Sequence, residues 1–467
     1  MQDLKRFAKS TGVYLMGSVL TKFAAFLMLP FYTRYLRPSE YGNFDLYTAY
    51  AAFLGSILFI DIWSGVMRFM FDYKSDEARA KPVTIGVVIF SVSSIFYCAS
   101  VAVLGSAMNI PHQALLMLYG LSMNAANFVG YVARAQGKNA VYVFGGLAGA
   151  AATVASSILF LAVFQKGYQS LYVSYALGHL VNVAVVGRSA RISGLIDFRR
   201  IDKELLKEML RFSAPLPLNS AAYWFLTSYN KVVISQRLST YENGIYAVAN
   251  KFGNIVSIIT QCFQMAWQEM SFSKAGNTRA EMGQFYTAAV NEYLRFMWGG
   301  TLLVISLVKV IFPIIVSREY WEAENLIPLA LLAAFFSCIS SFVASIMSTI
   351  KENRLVFLTT NMGAILNVGL MYALVGGVGL QAANIAFGAG FLVVCVSRIF
   401  LLRKYISIRV KWHWMAGFIA ATCTVCAAYF WGDRLLNGAA FVLLMGAMLL
   451  MYRKPLMKLF GTLVRRE

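Results

Sequence analysis

The sequence predicts an all-α integral membrane protein of roughly 14 transmembrane helices, with two parallel six-helix lobes around a central cavity and two further C-terminal helices. Three observations carry that expectation. The 467 residues are 59% hydrophobic and only 13% charged. A soluble domain carries roughly 25% charged residues, so this chain cannot cover a water-facing surface of ordinary size. Its apolar residues gather in runs long enough to cross a bilayer, and fragments of its first half recur in its second. The aromatic content, 15%, suits rings seated at membrane interfaces.

Segments of about 20 mostly apolar residues lie at 10–31, 42–69, 83–106, 113–132, 141–164, 169–188, 213–234, 243–270, 293–316, 326–348, 356–376, 379–402, 412–431 and 436–452. The first, second, seventh and eighth carry charges and signal more weakly. None shows the period-two alternation of a transmembrane barrel. Residues 1–10 are basic, but the apolar run after them contains Lys22 and is too long for the core of a cleavable signal, so it reads as the first membrane helix. The expected organisation is an N-lobe at 1–190, a cytoplasmic linker at 191–212, a C-lobe at 213–404, and the last two spans with a basic tail at 405–467. In the linker, Arg199, Arg200, Asp202, Lys203, Glu204, Lys207 and Glu208 suggest an amphipathic surface helix.

A net charge of +20 would point to nucleic acid in a soluble protein. Here the placement of the basic residues matters more. Of the 41 Lys and Arg, 28 fall in connections on the N-terminal side of the membrane, six on the opposite side and seven within segments. Both termini are therefore expected in the cytoplasm, with no nucleic-acid partner. The six cysteines sit in apolar runs, as small buried residues do. Cys423 and Cys426 lack the second pair or spaced histidines of a zinc site, so no metal is expected.

The internal repeat rests on three matches. Thr11, Tyr14, Ser18, Thr21 and Lys22 share their spacing with Ser220, Tyr223, Thr227, Asn230 and Lys231, which puts each set on one helix face. Glu40-Tyr-Gly42 matches Glu242-Asn-Gly244, and Gly167, Gln169 and Gly178 match Gly379, Gln381 and Gly390. Six helices per repeat is an even number, so the halves share one orientation, as in transporters built from parallel repeats.

Charges inside the membrane point to function. An ionised side chain at mid-bilayer costs about 2.5–3.5 kcal/mol on insertion scales and normally faces a cavity or a partner. Lys22 and Lys231 lie on the matched polar faces. In segment eight Asn250, Lys251, Asn254, Ser257, Gln261, Gln264 and Gln268 form a polar stripe at helical spacing. Lys22, Lys231 and Lys251, with Asn250, Asn254 and Gln261, are the candidate lining of a cationic cavity suited to a phosphate or pyrophosphate. Arg68 is counted with them, although it, Arg295 and Lys309 lie near segment ends and could snorkel. Few carboxylates oppose these cations. Asp61 shares a face with Ser64 and Arg68 and is expected to neutralise Arg68. Asp61, His179 and Glu269 are the candidates for ion coupling. His179 stands in a stripe with Tyr172, Tyr175 and Asn182, where packing and proton handling are both open to it.

Nothing in the sequence supports an enzyme. It has no Gly-Lys-Ser/Thr phosphate loop, no metal-ligand cluster and no Ser/His/Asp constellation. No cofactor is expected, and uphill transport would draw on a proton or sodium gradient or on substrate supply.

The runs Tyr14-Leu-Met-Gly-Ser-Val-Leu-Thr-Lys22 and Leu29-Pro-Phe-Tyr-Thr-Arg34-Tyr-Leu-Arg-Pro38-Ser-Glu-Tyr-Gly42 resemble the start of bacterial polysaccharide-precursor flippases. These form the Wzx-type, O-antigen flippase branch of the multidrug/oligosaccharidyl-lipid/polysaccharide (MOP) exporter superfamily. Phe212-Ser-Ala-Pro-Leu-Pro217, Gly244-Ile-Tyr-Ala-Val-Ala-Asn-Lys-Phe252 and Gln264-Met-Ala-Trp267 extend the resemblance. Asp61-Ile-Trp63-Ser-Gly departs from it, since relatives more often carry a Gly-Leu-Asp-like run before the arginine. The resemblance implies translocation of an undecaprenyl-pyrophosphate-linked oligosaccharide across the bacterial inner membrane by alternating access, for lipopolysaccharide O-antigen, capsule or exopolysaccharide synthesis. It also implies the partners: a lipid-linked oligosaccharide, the lipid bilayer and, within a glycan assembly complex, a polysaccharide polymerase and a chain-length regulator. The alternatives are an ion-coupled multidrug or organic-cation exporter of the same superfamily, which would want acidic residues in its cavity, and a non-transporting component of such a complex.

Overall fold

The computed structural model describes residues 21–453 apart from 22, 25, 74, 274–278 and 351. Among these, regular structure is helical throughout, with no strand. In chain order the helices are α1 (Leu29–Tyr35), α2 (Pro38–Leu58), α3 (Ile62–Met70), α4 (Asp76–Ala107), α5 (Gln113–Ala135), α6 (Asn139–Ile158), α7 (Gln169–Ser189) and α8 (Lys203–Ser213). They continue as α9 (Leu216–Thr227), α10 (Tyr229–Arg237), α11 (Thr240–Ser273), α12 (Arg279–Ile315), α13 (Ile327–Thr349), α14 (Asn353–Val378), α15 (Gln381–Leu402), α16 (Trp412–Trp431) and α17 (Arg434–Met451).

Ten described helices are long and apolar enough to cross a membrane, eleven when the bent pair α2 and α3 counts as one span. The other three expected segments differ for local reasons. The first lies mostly outside the described residues. The seventh is broken into α9 and α10, and the eighth, α11, carries the polar stripe that lowers its hydropathy. The α2–α3 bend of 47° falls where Ile60 and Asp61 adopt left-handed conformations, which a helix of L-residues does not accommodate.

Helix ends follow ordinary capping chemistry. The Ser75 hydroxyl accepts from the Ala78 N–H at 3.3 Å, and the Asp433 carboxylate from the Leu436 N–H at 2.8 Å. The amphipathic helix expected in the linker is α8. Asp202 caps it by accepting from the N–H groups of Glu204 and Leu205, and Leu205 and Met209, one turn apart, are its buried stripe.

By packing, the chain forms two units. One holds the described residues up to Ala247 together with Ala364–Gly379; the other holds Val248–Gly363 and the described residues from Leu380 onward. In the first unit α6 and α7 cross where Gly149 meets the Gly178 carbonyl, and a Cβ on Gly149 would come within 2.6 Å of that oxygen. In the second, Gly363 meets Gly390, the residue matched to Gly178, and a Cβ on it would lie 2.9 Å from the Gly390 oxygen. Gly42 and Gly244, another matched pair, pack back to back. A Cβ on Gly42 would stand 2.7 Å from the Gly244 nitrogen, one on Gly244 would overlap the Pro38 backbone, and the buried Asn243 amide donates to the Gly42 carbonyl at 2.8 Å.

The second unit is built around aromatic rings. Tyr293 stacks on Phe342 at 4.2 Å, and Trp267 donates to the Ser345 hydroxyl at 3.0 Å. In the Arg318–Thr349 span 72% of the most apolar window is buried, against 6% in α17. The C-terminal helices are thus peripheral, and exposed Trp431, Leu435, Leu443 and Leu450 suit contact with lipid. Lys309 does not snorkel. It pairs with Glu324 at 3.0 Å beneath the Tyr429 ring, 4.8 Å away.

Candidate functional site

The polar face expected over segment seven is split at Ser228, where the chain leaves helical geometry (φ −126°, ψ −19°). On α9, Ser220, Tyr223 and Thr227 keep one face. With Asn219 and, from α2, Ser56, they line a cleft of about 380 Å³. Beyond the break the two matched residues go separate ways. Asn230 is fully buried, and its amide exchanges two hydrogen bonds with that of Asn367 on α14, at 3.2 and 3.1 Å. Lys231 turns to α2, where its ammonium meets the Asp45 carboxylate at 2.9 Å.

That ion pair corrects the expectation that Lys231 has no carboxylate partner. It forms because α10 packs along α2, which no local pattern reveals. The pair is unevenly satisfied. Asp45 Oδ2 is buried without a partner, and the side chains of Lys231 and Asp45 keep 20% and 17% of their surface exposed.

Trp224 on α9 is the wall between two different environments. Its ring borders the polar cleft on one side. On the other lies a cavity of about 270 Å³ lined only by apolar atoms, among them those of Tyr50, Phe53, Leu54, Leu116, Phe225 and Val232. The indole N–H donates to the Ala49 carbonyl at 3.0 Å, and Phe53 packs on the ring at 4.3 Å, which fixes the wall.

The remaining candidates are scattered. Arg68 pairs with Asp72 at 2.7 Å and not with Asp61. Left-handed Asp61 instead precedes α3, where its carboxylate accepts from the Ser64 hydroxyl at 3.0 Å; Arg68 is two turns farther on, and Asp72 lies only one turn from it. Lys251 and Asn250 are half-buried and Asn254 exposed on α11, in the second unit. Lys22 lies outside the described residues, as do the side chains of Gln261 and Glu269. His179 lines a cavity of about 320 Å³ in the first unit, shared with Tyr175 and Asn182 of its stripe, and its Nδ1 stands 3.4 Å from the Ser122 hydroxyl. Tyr172, of the same stripe, is fully buried.

Asp45, Trp224, Asn219 and Ser56 went unassigned in the sequence. An acidic residue inside an apolar segment is a signal for Asp45; the others carry none. Arg398 is the opposite case, a visible intramembrane cation without an expected role. The structure buries it, and it donates five hydrogen bonds to Ser340, Val356, Thr359 and Thr360.

Comparison with known proteins agrees with this architecture. In fold the chain is similar to the lipid II flippase MurJ in its inward closed conformation, at TM-score 0.73 and 12% identity, covering 95% of this chain and 99% of that one. It is similar too to an inward-facing multidrug resistance MATE family transporter of the MOP superfamily, at TM-score 0.58 and 15% identity, covering 90% and 93%. In sequence it is 20% identical over 278 residues to protein 1 of the Lsg locus of Haemophilus influenzae, which is 55% of this chain and 64%, less than two thirds, of that protein. The polysaccharide biosynthesis protein family model matches residues 7–267, more than half of the sequence. By that match, this chain belongs to the polysaccharide biosynthesis protein family.

Proposed function

We propose that this protein flips an undecaprenyl-pyrophosphate-linked oligosaccharide across the bacterial inner membrane by alternating access, with both termini in the cytoplasm, in the synthesis of a surface polysaccharide. The observation that carries the reading is the juxtaposition at Trp224. A polar cleft and a wholly apolar cavity share one wall, and the Lys231–Asp45 pair lies farther along α2 from the cleft residues Ala52 and Ser56. That arrangement suits an amphiphile with a polar, anionic headgroup and a hydrocarbon tail. The likeness to a lipid II flippase supports the same substrate class.

In this reading the headgroup phosphate competes with Asp45 for Lys231. The ammonium has three N–H donors and gives one to Asp45, so a pyrophosphate can bind before the pair opens. The lower effective dielectric of a membrane cleft strengthens that contact relative to water. Lys22 and Lys251 are proposed to bind phosphate as well, and a proton or sodium gradient to drive the cycle.

The test is complementation of a strain lacking its own flippase, with Lys231→Ala, Lys251→Ala and the matching arginine variants. Alanine should cut glycan export tenfold or more at normal membrane levels. Arginine, which keeps the charge, should be milder. Normal export by every alanine variant would refute the cationic headgroup site.

A further inference from the structure

The cavity beside His179 is separate from the cleft at Trp224. It lies within the first unit, between residues 21–32, α6 and α7. Its polar wall comes from Thr21, Tyr32, Thr153, His179 and Asn182, with the rings of Tyr142 and Tyr175 beside them. No acidic side chain, lysine or arginine lines it among the described residues.

The hydrogen bonds of this wall leave acceptors over. The Ser122 hydroxyl spends its proton on the Tyr119 carbonyl at 2.9 Å. The His179 Nδ1 beside it, at 3.4 Å, must therefore be the donor of that pair. A neutral imidazole with its proton on Nδ1 presents Nε2 as an acceptor. Thr153 likewise spends its hydroxyl proton on the Gly149 carbonyl at 3.0 Å and keeps its lone pairs. Acceptors of this kind, at His179 and Thr153, are met by a ligand or water that brings donors.

The ligand must offer several O–H or N–H donors, carry no charge that needs a counter-ion, and present an apolar face to aromatic rings. A pyranose ring has these properties: hydroxyls around its edge and C–H bonds on its faces. The volume, about 320 Å³, sits at the low end of the roughly 300–1,000 Å³ usual for small-molecule pockets, which suits a single ring. An organic cation would want a carboxylate here.

We propose that this cavity binds one sugar ring of the translocated glycan, and so contributes to the choice of glycan; the inference rests on the flippase reading above. The experiment is saturation-transfer NMR on the purified full chain in nanodiscs, with methyl glucopyranoside, methyl galactopyranoside and methyl N-acetylglucosaminide at millimolar concentration. At least one should receive transfer from the protein. Asn182→Leu takes a polar side chain out of the lining, and Gly146→Leu fills the space without breaking a hydrogen bond, since a Cβ there meets only Thr21 Oγ1, at 3.9 Å. Both should abolish the transfer and lower glycan export tenfold or more, while Gly146→Ala does neither. Sugar transfer unchanged in both leucine variants, no transfer to the wild-type chain, or stabilisation by sodium in place of sugar would each overturn the proposal. Loss of sugar binding in the variants of a wild-type chain that exports no polyprenyl-linked glycan would overturn the flippase reading and leave the sugar site standing.

Discussion

Two intramembrane cations, one in each unit, are held in opposite ways. Arg398 is 5% exposed and donates five hydrogen bonds to hydroxyl and carbonyl oxygens of α13 and α14. Lys231 gives one of its donors to a carboxylate whose other oxygen has no partner. Charges inside a membrane protein sort by what surrounds them. A cation whose donors are all engaged by its own scaffold is part of the scaffold, and one with donors to spare is available to a ligand. The amino acid alone does not decide between them; the surrounding count of acceptors does.

The comparison breaks most readily at Arg398. Arg398→Leu should destabilise the protein by about 3–5 kcal/mol, as loss of one partner of a buried charged network does, and lower its melting temperature in detergent. Arg398→Lys should fall between, because an ammonium cannot reproduce the forked donor geometry. If Arg398→Leu melts like wild type, hydrogen-bond saturation is no mark of a structural cation.

A smaller effect on stability is expected at the ion pair, with a large one on export. Asp45→Ala should leave the protein folded and strand a lysine that binds anions more freely. Combining Lys231→Met with Asp45→Asn should restore the stability that either change alone removes, yet leave export lost. A double variant that exports normally would make Lys231 scaffold after all. The smallest effects belong to two tryptophans. Trp298→Phe removes a 2.7 Å bond to the Thr422 hydroxyl in the second unit, at about 1 kcal/mol, and should spare export. Trp224→Phe removes a bond of similar worth to Ala49 but thins the wall of the proposed site, so its thermal shift should match that of Trp298→Phe while export falls further.

The helices were legible because length and hydropathy report on lipid directly. The expected segment 169–188 is α7, Gln169–Ser189, almost residue for residue. The amphipathic linker helix was legible from its alternating charges. The break at Ser228 was not, because Thr227-Ser228-Tyr229 contains neither Gly nor Pro. Without the break, Asn230 and Lys231 look like neighbours on one cavity face. Nor could the sequence pair Lys231 with Asp45, 186 positions away. The stripe of Tyr175, His179 and Asn182 was legible as a face, but its spare acceptors emerged only once Ser122, from another helix, supplied the missing partner.

The contact between Gly42 and Gly244 has a consequence for how this sequence can vary. Most unfavourable substitutions in a packed core have an escape, since a neighbour can shrink to make room. Here the neighbour is already glycine or is main chain, and nothing smaller exists. Every single-base change in a glycine codon that alters the residue adds at least a Cβ. Position 42 therefore offers position 244 no compensating change, and 244 offers none in return. A saturation-mutagenesis scan should find both intolerant, and second-site suppressors should not map to the opposite glycine.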